Sequence, residues 1–308
     1  MTSHPSVGGI RLCLGGNVFG WTADEDASFA VLDKFYEAGG RMIDSAQGYS
    51  VWAPGHVGGE SETVIGKWAE TRGVRSSVLI ATKTGMFGQP GDLAPAKVAE
   101  ELEKSLERLR SDYVDLYYAH RDDETVPLNE IAHGFDTLVK AGKVRELGAS
   151  NFSAERLTAA LDAAESARLT PYSVLQNEYN LVRRGDYEGA VQALCVERGI
   201  ASLPYFGLAS GFLTGKYRSI TDFSQSARGD GMDRFFETGL PVLAVMDEIA
   251  AETGASHPAI ALAWINAQPG IAAPIASART PEQLDALLEA VRLELSDDQL
   301  ERLTGALA

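Results

Sequence analysis

Four residues in this sequence could together protonate a carbonyl oxygen: Asp44, Tyr49, Lys83 and His120. Asp44, Lys83 and His120 stand in or at the end of short apolar runs, RMIDS (41–45), SVLIATK (77–83) and YVDLYYAH (113–120), and Tyr49 follows Asp44 in its loop. An Asp closing a buried strand needs a partner, because burying an unpaired charge is costly. Lys83 can be that partner if the first two runs are adjacent strands. An ammonium close to a phenol stabilises the phenolate and lowers the phenol pKa from its ordinary value of about 10. A tyrosine tuned in this way can act as a general acid near neutral pH. His120 can donate a hydrogen bond to the same oxygen. Taken singly, a strand-end Asp is usually a turn former or cap, a Lys a solvated charge and a His a satisfied structural residue. Four such residues on three successive strand ends make coincidence a poor account.

The elements that must position them repeat along the chain. Strand candidates are RLCLG (11–15), the three runs above, VRELGAS (144–150), SVLQNE (173–178), IASLPYF (200–206) and GIAAPIAS (270–277). Most successive starts are about 30 residues apart, the size of a βα unit. Amphipathic helices fill the gaps. The stretch 23–40 has an acidic first turn and a glycine stop at Gly39-Gly40, and PAKVAEELEKSLERL carries Pro95 at its start. Thr280-Pro281-Glu282-Gln283 resembles a capping box, and SDDQLERLTGALA reads as a closing helix. Eight alternating units in one domain length predict a single (β/α)8 TIM barrel over residues 1–308, with a long loop after strand seven (208–240) and a C-terminal helix. In such a barrel the strand ends and following loops form one mouth. That mouth would also collect Ser150, Asn151, Gln176, Asn177, Tyr205, Ser277 and Arg279.

The bulk numbers narrow the function. A net charge of −16 over 308 residues argues against nucleic acid or anionic membrane as partners, since both need basic patches. Two distant cysteines, Cys13 and Cys195, fit a reducing cytoplasm better than a disulfide framework. The five histidines are scattered, with no HExxH or CxxC spacing, so no metal site is expected. No run approaches the ~20 apolar residues of a membrane span. Monomer and homo-oligomer are both left open.

Longer motifs then carry a resemblance. MIDSAQGY (42–49), GGESETVIGKW (58–68), IATKTG (80–85), DLYYAHRDD (115–123), GKVRELGASNFS (142–153), LQNEYN (175–180), GLASGFLTGKY (207–217) and ARTPEQL (278–284) resemble, in order, the motifs of the aldo-keto reductase family. The resemblance implies a barrel that binds NADPH without a Rossmann domain, NADH being the alternative. It implies a tetrad in which Tyr49 donates the proton, Lys83 tunes it, Asp44 holds Lys83 and His120 orients a small carbonyl substrate. It also implies that Ser150, Asn151 and Gln176 hold the nicotinamide carboxamide and that Tyr205 stacks on the ring. Gly16 and Asn17 would lie near the ribose. Leu208, Ser210, Gly211 and Lys216 would close over the pyrophosphate, Asp44, Phe206 and Gly207 would also contact the cofactor, and Ser277 and Arg279 would meet the adenosine 2′-phosphate, with Gln283 near the adenine. The chain departs from related members where Ala276 and Ser277 replace a Pro-Gly pair, Leu287 an Asn, and Phe206 a hydroxyl residue.

Trp21, Tyr49, Trp52, Phe87 and His120, with the loop aromatics Phe235 and Phe236, are candidate walls of a substrate pocket suited to aryl or sugar-like carbonyls. Each aromatic alone could equally be loop packing. Two other functions are compatible with a barrel. A cofactor-sensing binding protein would keep a similar tetrad. A Schiff-base aldolase would need Lys83 as a neutral amine, which Asp44 nearby opposes.

Overall fold

In a computed structural model, residues 8–225 and 232–307 are described; residues 226–231 of the expected long loop lie outside them. The strands are β1 (Cys13–Gly15), β2 (Met42–Asp44), β3 (Leu79–Thr84), β4 (Val114–Ala119), β5 (Val144–Ser150), β6 (Val174–Gln176), β7 (Ala201–Ser202) and β8 (Ile275–Ala276). All pair in parallel in the order β7-β6-β5-β4-β3-β2-β1-β8. A parallel bridge from Ser202 to Ile271, and the Ile275 N–H donating to Pro204 O at 2.8 Å, join the two ends. The result is the expected (β/α)8 barrel.

Alternation along the strands explains the two cores. Cys13, Met42, Ala81, Leu116, Tyr118, Val174 and Ala201 form one buried cluster, the barrel interior. Their sequence neighbours Leu12, Leu14, Ile43, Ile80, Tyr117, Leu147 and Leu175 belong to the other, between sheet and helices. Side chains two apart share a face, so the inner face continues from Met42 to Asp44, from Ala81 to Lys83 and from Val174 to Gln176. The interior is apolar at one end and polar at the C-terminal end. Gly148 is paired with Tyr118; a Cβ there would lie 2.3 Å from the Tyr118 ring, so glycine lets that ring fill the barrel.

Strands seven and eight are shorter than the sequence suggests. Pro204 and Pro274 supply no N–H, and pairing resumes only as the isolated bridge Glu178–Tyr205 and the short β8.

The helices between strands are α1 (Glu25–Glu37), α2 (Glu60–Arg72), α3 (Pro95–Leu109), α4 (Leu128–Lys140), α5 (Ala154–Ala167) and α6 (Ala190–Arg198). Asp24 caps α1 by accepting from the Ala27 N–H at 2.9 Å. After β7 come 3-10 turns, α7 (Phe236–Thr253) and α8 (His257–Asn266). The connection from β7 to the barrel helix thus holds an extra helix, α7, which begins inside the expected loop of 208–240 and runs beyond it: α8 is buried along most of its length as the barrel helix, and α7 packs against it. After β8, α9 (Pro281–Ala290) and α10 (Asp297–Gly305) close the chain. The capping box expected at α9 is only half formed: Thr280 accepts from the Gln283 N–H, but the Gln283 side chain takes the Arg279 N–H instead. A reciprocal box stands at α10, between Ser296 and Gln299. Among the described residues no helix is long and apolar enough to cross a membrane.

One buried ion pair fastens α2 and α3 to the barrel. Glu62, fully buried, accepts from Thr82 Oγ1 on β3 and from Arg108 Nε at 2.6 Å. Glu62→Ala leaves Arg108 without its counter-charge. Arg108 keeps some water contact, so the expected loss is near the low end for a broken buried pair, about 3 kcal/mol. Urea unfolding measures it; a loss below about 1 kcal/mol would place the pair with ordinary surface bridges.

Candidate active site

Strand register brings the first three chemical residues together. Asp44 pairs with Ala81 across β2 and β3, and Lys83 lies two residues further along the same inner face. Ala81 leaves the space through which the lysine and the carboxylate meet. Lys83 Nζ, fully buried, donates to Asp44 Oδ2 at 2.6 Å, Ser45 O at 2.7 Å and Tyr49 Oη at 2.8 Å. All three ammonium protons are therefore used. Tyr49 Oη in turn donates to Asp44 Oδ2 at 3.1 Å.

The electrostatics correct one expectation. Burial, then the Asp44 carboxylate, push the Tyr49 phenol well above its ordinary pKa rather than below it. Desolvation of the phenolate and repulsion by a carboxylate at hydrogen-bond distance outweigh the single ammonium. Tyr49 is thus a phenol, the form that gives up a proton, across the neutral range. Burial pulls Lys83 down, with Asp44 opposing. His120 is pushed well below the ordinary imidazole value, by burial first and then by Lys83 and Arg121. It is neutral at neutral pH and offers one N–H donor. Its ring centroid is 6.2 Å from that of Tyr49.

A second polar chain joins Asp44 to the far strands. Gln176 Nε2 donates to Asp44 Oδ1 at 3.0 Å, and Ser150 Oγ donates to Gln176 O at 2.7 Å. Asn151 Nδ2 reaches Ser150 Oγ at 3.1 Å and His120 O at 2.9 Å, while Asn151 Oδ1 accepts from Tyr205 Oη at 2.7 Å. Asn151 has a left-handed backbone, φ +60°, a conformation that Asn tolerates better than other non-glycine residues.

These groups open on a cavity of about 800 Å³. Asp44, Tyr49, His120, Ser150, Asn151, Gln176 and Tyr205 line one part of it; Trp52 and Met86 form an apolar wall beside Tyr49. Asn17, Phe206, Gly207, Leu208, Ser210, Gly211, Lys216, Ser277, Arg279 and Gln283 line other parts of it. Lys83 lies behind Asp44 and Tyr49. Phe206, Ala209, Ser210 and Gly211 all have positive φ, and the turn closes on itself, the Ala209 N–H donating to Phe206 O at 2.7 Å and the Gly211 N–H to Leu208 O at 2.9 Å. Ser277 Oγ donates to Asn17 Oδ1 at 2.7 Å. Lys216 and the Arg279 guanidinium are exposed, with no ion-pair partner among the described residues.

Several expected residues stand elsewhere. The Gly16 N–H is taken by Asp44 O at 2.7 Å, and Gly16 does not line the cavity. Trp21 packs edge-on against Trp52, with centroids 5.4 Å apart. Phe87 points into solvent, 55% exposed. Phe235 is buried in the main core and Phe236 packs on Phe212. Phe235 and Phe236 followed core packing here rather than the mouth.

Other lining residues were not read from the sequence: Val18, Thr22, Met86, Arg121, Tyr217 and the start of α8 at Ser256, His257 and Pro258. Arg121 was discoverable, since it directly follows His120 into the same loop. The start of α8 was not, because only the tertiary fold brings it to the mouth, where His257 meets Asp247 of α7 at 2.8 Å.

Comparison with known proteins bears on the family. A sequence model of the Aldo/keto reductase family matches residues 11–308. Aldo-keto reductase YhdN of Bacillus subtilis is 33% identical, over 93% of this chain and 85% of its own length. An aryl-alcohol dehydrogenase [NADP(+)] of Phanerodontia chrysosporium is 33% identical, over 91% and 76%. Norsolorinic acid reductase stcV of Emericella nidulans is 32% identical, over 96% and 78%. With the family pattern spanning nearly the whole chain, and a barrel of eight parallel strands carrying it, this protein belongs to the aldo/keto reductase family.

Proposed function

We propose that the chain reduces an aldehyde or ketone to the alcohol, reversibly, with NADPH as reductant and Tyr49 as proton donor. The observation that carries this reading is the contact of Lys83 Nζ with Tyr49 Oη at 2.8 Å, anchored on buried Asp44. A carbonyl oxygen placed between Tyr49 and His120 meets a phenol O–H and a neutral imidazole N–H. As the oxygen gains negative charge it becomes a strong base, and the Tyr49 proton moves to it. Lys83 then stabilises the phenolate left behind, and Asp44 holds Lys83 in place. In the reverse direction the same phenolate takes the alcohol proton.

The residues present fit a dinucleotide. Ser150, Asn151 and Gln176 form a polar ledge beside Asp44 for a carboxamide, next to the Tyr205 ring. Lys216, lining the cavity with the turn at 206–211, suits a pyrophosphate, and Arg279 suits a terminal phosphate. When bound, NADPH supplies the hydride; the chain orients it through this ledge, a positioning effect. A relative named for NADP(+) supports the same preference.

The test is NADPH consumption with a panel of aryl and aliphatic aldehydes, alongside fluorescence titration with NADPH and NADH. Turnover supports the reading. Tight nucleotide binding without turnover of any aldehyde would instead support a cofactor-sensing protein. Arg279→Ala is expected to weaken NADPH about tenfold more than NADH, the size of one charge-assisted contact to phosphate. Equal losses for the two nucleotides would remove Arg279 from the phosphate site.

A further inference from the structure

Arg121 is the cation at the mouth that the reaction leaves unused. It follows β4 directly after His120 and lines the cavity together with Tyr49, Trp52 and Met86. Its guanidinium is exposed, and no hydrogen bond or ion pair holds it among the described residues. That is unusual in a chain with 43 acidic and 27 basic residues, where a basic side chain readily finds a carboxylate.

The acidic residues next in sequence do not neutralise it. Asp122 makes a bidentate pair with Arg156 at 2.6 and 2.8 Å. Asp123 accepts from the backbone N–H groups of Leu93 and Thr125 and from Thr125 Oγ1. Glu124 is exposed. The Arg121 charge instead acts inward: after burial and Lys83 it helps to lower His120, and it partly opposes the rise that burial imposes on Tyr205.

Topology separates Arg121 from the other unpaired arginine of the cavity. Arg279 follows β8, and β4 and β8 lie four strands apart in an eight-stranded barrel, on opposite sides of the mouth. One cation therefore stands at the proposed phosphate end and the other on the His120 side, where a substrate would lie. Trp52 and Met86 line the same cavity and offer apolar surface to the body of that substrate.

We propose that this protein selects carbonyl substrates bearing an acid group, and that Arg121 receives that group while Tyr49 and His120 hold the carbonyl. This rests on the carbonyl-reductase reading above. The planar guanidinium fork matches a carboxylate in a way that no other group on this side of the mouth can. The acid group is not consumed: hydride goes to the carbonyl carbon, the Tyr49 proton to its oxygen, and the carboxylate leaves with the alcohol.

The experiment compares 4-carboxybenzaldehyde with its neutral methyl ester, and a short-chain oxo acid with its methyl ester. Both pairs are run with NADPH on the wild-type enzyme, Arg121→Gln and Arg121→Lys. Wild type is expected to favour the acids in kcat/KM by about tenfold at low salt, as one charge-assisted contact allows, and less as salt is raised. Arg121→Gln removes the preference chiefly by raising KM for the acids, and Arg121→Lys restores part of it. Turnover of acids and esters with no preference in wild type would overturn the inference and leave the reductase reading standing. So would a loss in Arg121→Gln that falls equally on both. No turnover of any of the four compounds by wild type would count against the reductase reading and this inference together.

Discussion

Tyr49→Phe is expected to lower kcat by about 10³-fold, within the range for loss of a general acid, while NADPH still binds. The phenol oxygen has two contacts, with Lys83 at 2.8 Å and Asp44 at 3.1 Å. Phenylalanine fills the same volume but supplies no proton, so the barrier rises where the alkoxide would be protonated. The ledge at Ser150, Asn151 and Gln176 is untouched, so nucleotide affinity is kept. Single-turnover kinetics with a good aldehyde, paired with a fluorescence titration, separates these effects. Near-full turnover would mean that Tyr49 is not the donor.

Lys83→Met has a double effect. Catalysis falls because the phenolate loses its counter-charge. Stability falls as well, by about 3–5 kcal/mol, because Asp44 stays buried with its main partner gone. Only the Tyr49 and Gln176 donors, at 3.1 and 3.0 Å, remain for it. The informative comparison is with the double variant Asp44→Leu/Lys83→Met. Replacing both buried charges by apolar groups is expected to recover much of the lost stability, yet none of the activity. Denaturant melts and NADPH consumption on the three proteins read this out. A single variant as stable as wild type would show that the pair is not energetically isolated from water. A double variant that regained activity would exclude the pair from catalysis.

Much of this was legible in the sequence for local physical reasons. Strand ends could be read because apolar alternation is a property of neighbouring residues, and Asp44, Lys83, Ser150 and Gln176 each break that pattern where the buried strand meets the mouth. The spacing of βα units predicted eight strands and barrel closure. Motif order pointed to the family. Caps were less readable. At the start of α9 the Gln283 side chain accepts from the Arg279 N–H and not from that of Thr280, a difference that the residue types do not reveal.

What the tertiary structure alone decided has one cause: it depends on distances between residues remote in sequence. The sequence by itself determined which residues are charged or phenolic and on which strand they stand. It could not determine the sign of the Tyr49 pKa shift, which depends on burial and on a carboxylate at 3.1 Å competing with an ammonium at 2.8 Å. Nor could it tell which aromatics line the cavity. Trp52 does; Trp21, Phe87 and Phe235 do not, because Trp21 and Phe235 are taken up by packing and Phe87 is left in solvent, and composition does not encode those places. The same holds for Arg121, whose charge is written in the sequence and whose lack of a partner among the described residues is a fact of three-dimensional packing.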